Sequence, residues 1–200
     1  MRLILIFLIV FLPSYVFSDD ISDYQIEKIT VGDSLLDYYS ENTIKKNIDY
    51  YFLELRKDKT FYTVEIADKD FKEYKILQFG LKDNDPKFII HSVAGGNFYT
   101  NISKCHKRMD SIVKEISDLL KFTDKKDYGT YPNPADPSGK SYVKTVYFDF
   151  EEDQGKGMDH IAIGCTDWSK EFEKSYNYQD NLRVVIQTAE YDFWLNNLAY

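Results

Sequence analysis

Cysteine is scarce in this chain. Of 200 residues only Cys105 and Cys165 are cysteines, and they do not form a C-x-x-C pair, so a redox motif has nothing to rest on. Clustered basic residues are also lacking. Lysines are spread along the sequence, and 25 Lys and Arg face 33 Asp and Glu for a formal charge of −8. Phosphate contacts need gathered Lys and Arg, so nucleic acid and anionic membranes are poor partners. No apolar run is long enough to cross a bilayer. The longest, Leu3 to Leu12, ends at Pro13, short of the roughly 20 residues a span requires. No solenoid-type repeat is visible.

What is present starts with a leader. "MRLILIFLIVFLPSYVFSDD" carries one positive charge at Arg2, then the apolar run, then Val16-Phe17-Ser18. That is the three-part layout of a secretory signal, with the cut expected between Ser18 and Asp19. No cysteine sits there to carry a lipid anchor, and no membrane span is expected after the cut. Loss of Arg2 makes the remaining chain one unit more negative. In an exported protein two cysteines read as one disulfide, set against two buried free thiols or one reactive thiol. Closing a loop of about 60 residues contributes on the order of 4 kcal/mol in the chain-entropy model. Hydrophobic residues make up 44%, with 14 Phe and 17 Tyr, enough for a real core and against disorder. Lys far outnumbers Arg, a composition read as an AT-rich genome.

Periodicity divides the chain. "SLLDYYSENTIKKNIDYYFLEL" has two cap signals, Ser34 with Asp37 three residues on and Ser40 before Glu41, predicting two short helices or one kinked helix. "TFYTVEIA" (60–67), "YKILQFGL" (74–81) and "PKFIIHSVAGG" (86–96) read as strands joined by charged turns. The strongest element runs from Asn101 to Phe122. There Ile102, Cys105, Met109, Ile112, Val113, Ile116, Leu119 and Leu120 form one apolar stripe. Residues 123–141, with three prolines and two glycines, read as a surface loop. Three more strands follow at 142–150, 159–165 and 181–189. "EYDFWLNNLAY" is expected to end the chain as a short helix or a tucked tail.

"VGDSLLDYY" (31–39) spells the nucleophile signature of GDSL esterases, which it resembles over four residues. Its context differs from theirs. "IEKITV" is not an apolar strand, Phe98 stands where an Asp should follow Asn97, and the last histidine, His160, has 40 residues after it. A serine without a base keeps its proton. Ser34 therefore reads as a helix cap.

Other constellations are weaker. His91, His106 and His160 are far apart, none at metal-ligand spacing from another. A bound metal beside Cys105 and Cys165 would need reduced thiols, and no metal site is expected. "DFEEDQG" (149–155) has Asp149, Glu151 and Asp153 at alternate positions. Gln154 occupies the glycine slot of a calcium loop, however, and His160 the place of its bidentate Glu, so a hairpin turn is expected. Trp168, Phe172, Tyr176 and Tyr178 could form a platform for sugars or peptides, or could be core residues.

Three stretches, "ITVGDSLLDYYSENTIKK", "NISKCHKRMDSIVKEISDLL" and "IAIGCTDWSKE", together resemble a set of uncharacterised exported proteins of Pelagibacter-type marine alphaproteobacteria. The resemblance covers most of the chain after the leader, with departures at Val31 and Asn42-Thr43. It implies export from a Gram-negative cell and a retained cysteine pair. It brings no activity, substrate or catalytic residue.

The fold expected is α+β: a signal peptide over 1–18, then a single domain over 19–200. An antiparallel sheet of about six strands packs against one long amphipathic helix, with a short helical segment near the N-terminus. The function expected is that of a non-catalytic periplasmic or secreted binding or interaction protein, with an unknown protein or small-molecule partner and no cofactor. The alternatives are a small hydrolase using Ser34, with Asp33 and a histidine, and a sugar- or peptide-binding module using the 168–178 aromatics.

Overall fold

A computed structural model describes residues 20–50, 56–120, 123–152 and 157–199. The expected leader over 1–18 and its expected cut between Ser18 and Asp19 lie outside the described residues. The elements in order are 3-10 turns at Ile21–Asp23 and Leu35–Asp37, α1 (Glu41–Lys46), β1 (Phe61–Ile66), β2 (Ile76–Lys82) and β3 (Ile90–Tyr99). Then come α2 (Ile102–Leu119), β4 (Asp124–Pro132), β5 (Tyr142–Glu152), β6 (Met158–Asp167), α3 (Lys170–Tyr176), β7 (Asp180–Gln187) and α4 (Ala189–Asn197).

All seven strands form one antiparallel sheet in the order β1-β2-β3-β7-β6-β5-β4. Two meanders, β1–β3 and β4–β7, are joined by α2 and meet where β7 pairs with β3. The register lines up apolar side chains in a row across six strands: Val64, Phe79, Val93, Ile186, Ile161 and Phe148. All six are buried. Because successive side chains of a strand alternate in direction, this row defines the face on which α2 lies. Cys105, Met109 and Ile112 of α2 are buried in the same core. Leu119, expected in the stripe, is instead 67% exposed at the end of the helix, while the next residue, Leu120, turns inward at 6%.

Cys105 and Cys165 are joined, with their Cα atoms 6.0 Å apart. The bond ties the first turns of α2 to β6, and both cysteines are buried in the main core. The other face carries α4. Tyr191 and Trp194 pack on Phe61 with ring centroids 5.2 Å apart in each case, making a second, smaller core with Ala199. Gly80 of β2 lies directly beneath Tyr191, and a β-carbon there would run into the ring.

The sheet has seven strands where six were expected. The extra one, β4, occupies the start of the segment read as a loop over 123–141, so the loop proper is 133–141. β4 is an edge strand, and none of its nine residues is fully buried. Without a core face it has no alternation of apolar and polar residues to read. Its irregular register at Asp127/Gly129, with Gly129 at φ +62°, together with its lysines and Pro132, belongs to the devices that keep an edge from pairing with another chain. At the opposite edge, residues 47–49 bond to β1 through Asp49 N–H to Thr63 O and Glu65 N–H to Asn47 O, each 2.9 Å. Among the described residues no helix is long and apolar enough to cross a membrane.

Candidate functional site

Ser34 caps the 3-10 turn that follows it. Its Oγ accepts from Leu36 N–H at 3.2 Å and donates to the carbonyl of Lys87 at 2.6 Å. Asp33 accepts from the Tyr38 hydroxyl at 2.6 Å and from Thr30 N–H at 3.2 Å. The backbone around them is paired as well, with Gly32 N–H to Ile90 O at 2.8 Å, Ile90 N–H to Asp33 O at 2.9 Å and Leu35 N–H to Phe88 O at 3.0 Å. The Gly-Asp-Ser stretch is thus a short extended segment laid along the start of β3. It holds Phe88, a bulky residue at φ +50°, in a conformation that L-residues rarely adopt.

The histidines lie elsewhere. His91 places Nδ1 3.6 Å from Glu190 and meets Phe61 edge to face. His160, with Nδ1 3.2 Å from the Met158 carbonyl and 3.8 Å from Asp192, is under α4. His106 is on α2, across the sheet from His160, so the two do not converge. Burial holds both His91 and His160 below the ordinary imidazole range. Among the described residues, no group of three or more His, Cys, Asp or Glu is placed to hold a metal ion. Asp149 lies within β5 at 7% exposure, its carboxylate 2.7 Å from Lys126 Nζ. Residues 153–155 of the calcium-like stretch lie outside the described residues.

The aromatic residues of 168–178 do come together. Trp168 stacks on Phe172 at 4.8 Å with planes 7° apart, and Phe172 meets Tyr176 at 4.4 Å. Tyr178 closes the group at 5.0 Å from Trp168 and 5.7 Å from Phe172. Phe172 and Tyr176, four apart, share a face of α3, and Trp168, just before the extended Ser169 cap, lays its ring against Phe172. None of the four rings belongs to either hydrophobic core, and Tyr176 is 55% exposed. An adjoining cavity of about 380 Å³ is lined by Tyr178 together with Thr100, Lys170, Glu173, Lys174 and Gln179.

Polar anchors fix this group. Ser169 caps α3 by accepting from Phe172 N–H at 3.3 Å, and Asn177 at φ +55° ends it. Asp180, buried in the sheet, accepts from Trp168 N–H at 2.9 Å, and burial raises its carboxyl above the usual range. Asp136 of the 133–141 loop accepts from the Ser141 hydroxyl at 2.6 Å and from the Ser169 hydroxyl at 3.2 Å. Ser141, itself buried, accepts from Ser169 N–H at 2.9 Å. The bonds Asp136 accepts from Ser141, Ser138 and Ser169, the Ser141 hydroxyl foremost, hold its pKa at about 2. Sequence reading placed Asp136 in a plain surface loop. Only its position among three prolines, a glycine and a serine hinted at an ordered turn.

The fold and these features define an α+β protein built on one seven-stranded antiparallel sheet, tied by a disulfide and carrying, outside its two hydrophobic cores, an aromatic group in which Tyr176 is exposed and the other three rings are half-buried. No protein-family model, curated protein or solved structure matches the chain.

Proposed function

We propose that this is an exported, non-catalytic binding protein, resident in the periplasm or secreted, whose ligand platform is the aromatic group of Trp168, Phe172, Tyr176 and Tyr178. The observation that carries the reading is the placement of four rings, packed on one another around Phe172 and Tyr178, outside both cores. Burying such rings in the interior stabilises a fold far more than leaving them at the surface. Their position therefore favours a role in contact with something else. The cavity beside Tyr178 adds hydroxyl, amide, carboxylate and ammonium groups next to an aromatic edge. That mixture of an apolar plate and convergent polar groups suits a carbohydrate, whose rings offer C–H faces flanked by hydroxyls.

Export is supported by the leader pattern and by a buried cross-link of the kind that persists in oxidising compartments. The hydrolase reading has no comparable support, because Ser34 bonds to backbone groups and no histidine is among its partners.

Trp168 fluorescence tests the proposal against an oligosaccharide series. A saturable change is expected, weakened at least tenfold in Tyr178→Ala while the melting temperature holds. Absence of a response to every glycan, or an undiminished response in Tyr178→Ala, overturns it.

A further inference from the structure

We infer that a second site, the cavity between α1, β1 and the β2–β3 turn, binds a small organic cation: a primary or methylated ammonium with an apolar body. The cavity measures about 570 Å³, within the range of small-molecule sites. Ile48, Tyr62 and Phe88 give it an apolar floor, and Asp83 and Asp85 stand on the turn beside it. An aromatic face with carboxylates at its edge is the arrangement that recognises ammonium groups, through the ring quadrupole and direct charge attraction.

The charges in the lining favour a cation over an anion. Lys45 is paired with Glu41 at 2.6 Å along α1, so those two largely cancel. The remaining lining charges are the two aspartates of the turn and the exposed Lys59. Tyr62 reports the same field. Its hydroxyl is held at about 12, by burial first and then by Asp83 and Asp85, so it faces a ligand as a neutral phenol. The chain's net charge of −8 also draws cations from a distance.

The wall is built before any ligand arrives. Asp85 accepts from Lys87 N–H and Ile89 N–H, each at 2.9 Å, which fixes its carboxylate. Asn84, at φ +58°, donates to Asp83 at 2.7 Å. The backbone leading into β3 is held by Leu35 N–H on the Phe88 carbonyl and by the Ser34 hydroxyl on the Lys87 carbonyl. Little conformational freedom is left to lose on binding, which favours affinity for a small molecule.

The test titrates the full protein at low salt with benzyltrimethylammonium, benzyl alcohol and benzoate, following nuclear magnetic resonance signals of Tyr62 and the Asn84 side-chain amide. The cation is expected to bind saturably and at least tenfold more tightly than the other two. Asp83→Asn should weaken it about tenfold, roughly 1.4 kcal/mol, and Lys59→Glu, an exposed substitution that does not depend on folding through Asp83, should tighten it severalfold. Tyr178→Ala should leave it unchanged, which separates this site from the aromatic group around α3. Equal binding of benzyl alcohol, no saturable binding of the cation, or weaker binding in Lys59→Glu overturns the inference.

Discussion

The Ser34 hydroxyl donates to the carbonyl of Lys87, 53 residues away, at 2.6 Å. A bond of that reach makes Ser34 a clasp between the N-terminal segment and the turn leading into β3, in addition to its local cap. Replacing Ser34 with alanine removes both contacts. The expected cost is about 1 kcal/mol, with a ceiling near 2, as for other lost N-caps. Urea unfolding of Ser34→Ala against the parent measures it, and a loss of esterase activity with stability unchanged would contradict the assignment.

The cross-link offers a larger effect. Cys105 and Cys165 are separated by 60 residues and join two elements of the main core. The double variant Cys105→Ser/Cys165→Ser is expected to lose on the order of 4 kcal/mol on the chain-entropy account. The buried serine hydroxyls would add a cost of their own. Denaturant titration of the variant, alongside intact mass of the parent purified without reductant, checks both the bond and its contribution.

Gly80 should resist any enlargement. Its neighbour is the face of Tyr191, itself 5% exposed, so Gly80→Ala must push α4 outward or bend β2. Overpacking of this kind typically costs about 1–3 kcal/mol. Pairing Gly80→Ala with Tyr191→Leu should recover part of the loss in a double-mutant cycle, since the two positions touch.

Acid should loosen the 133–141 loop over a defined range. The Asp136 carboxyl titrates in the fold at about 2, against an ordinary value of 3.8. The folded form thus gives up its proton more readily than the unfolded chain, and the stabilisation is fully present above pH 4. It is lost as pH falls through the interval down to about 2. Asp136→Asn should remove that step. Carbon-13 chemical shifts of the Asp136 carboxyl, followed through the acid range, give the midpoint directly.

The legible parts of this protein were those with a repeating apolar signal. The six strands with a buried face and the α2 stripe follow from side chains facing in or out of one core, and the Cys105 pairing partner from there being only one other cysteine. The caps at Ser34 and Ser40 were legible for a local reason, a hydroxyl placed to accept an early helical N–H. β4 was hidden because an exposed edge strand has no inside. The aromatic group was legible as a spacing, but whether those rings were core or surface depended on where α3 sits, which is a tertiary fact. The Asp136 hub and the cavity beside Tyr62 assemble residues from distant segments, and no local pattern marks them.

α3 is only seven residues long, too short to be helical by itself in water, and its first turn hangs from a carboxylate 33 residues earlier in the chain. The posture of the rings is thus inherited in part from a loop well before them in the chain. Drift or engineering within 133–141 could retune what the surface grips while leaving every aromatic side chain as it is.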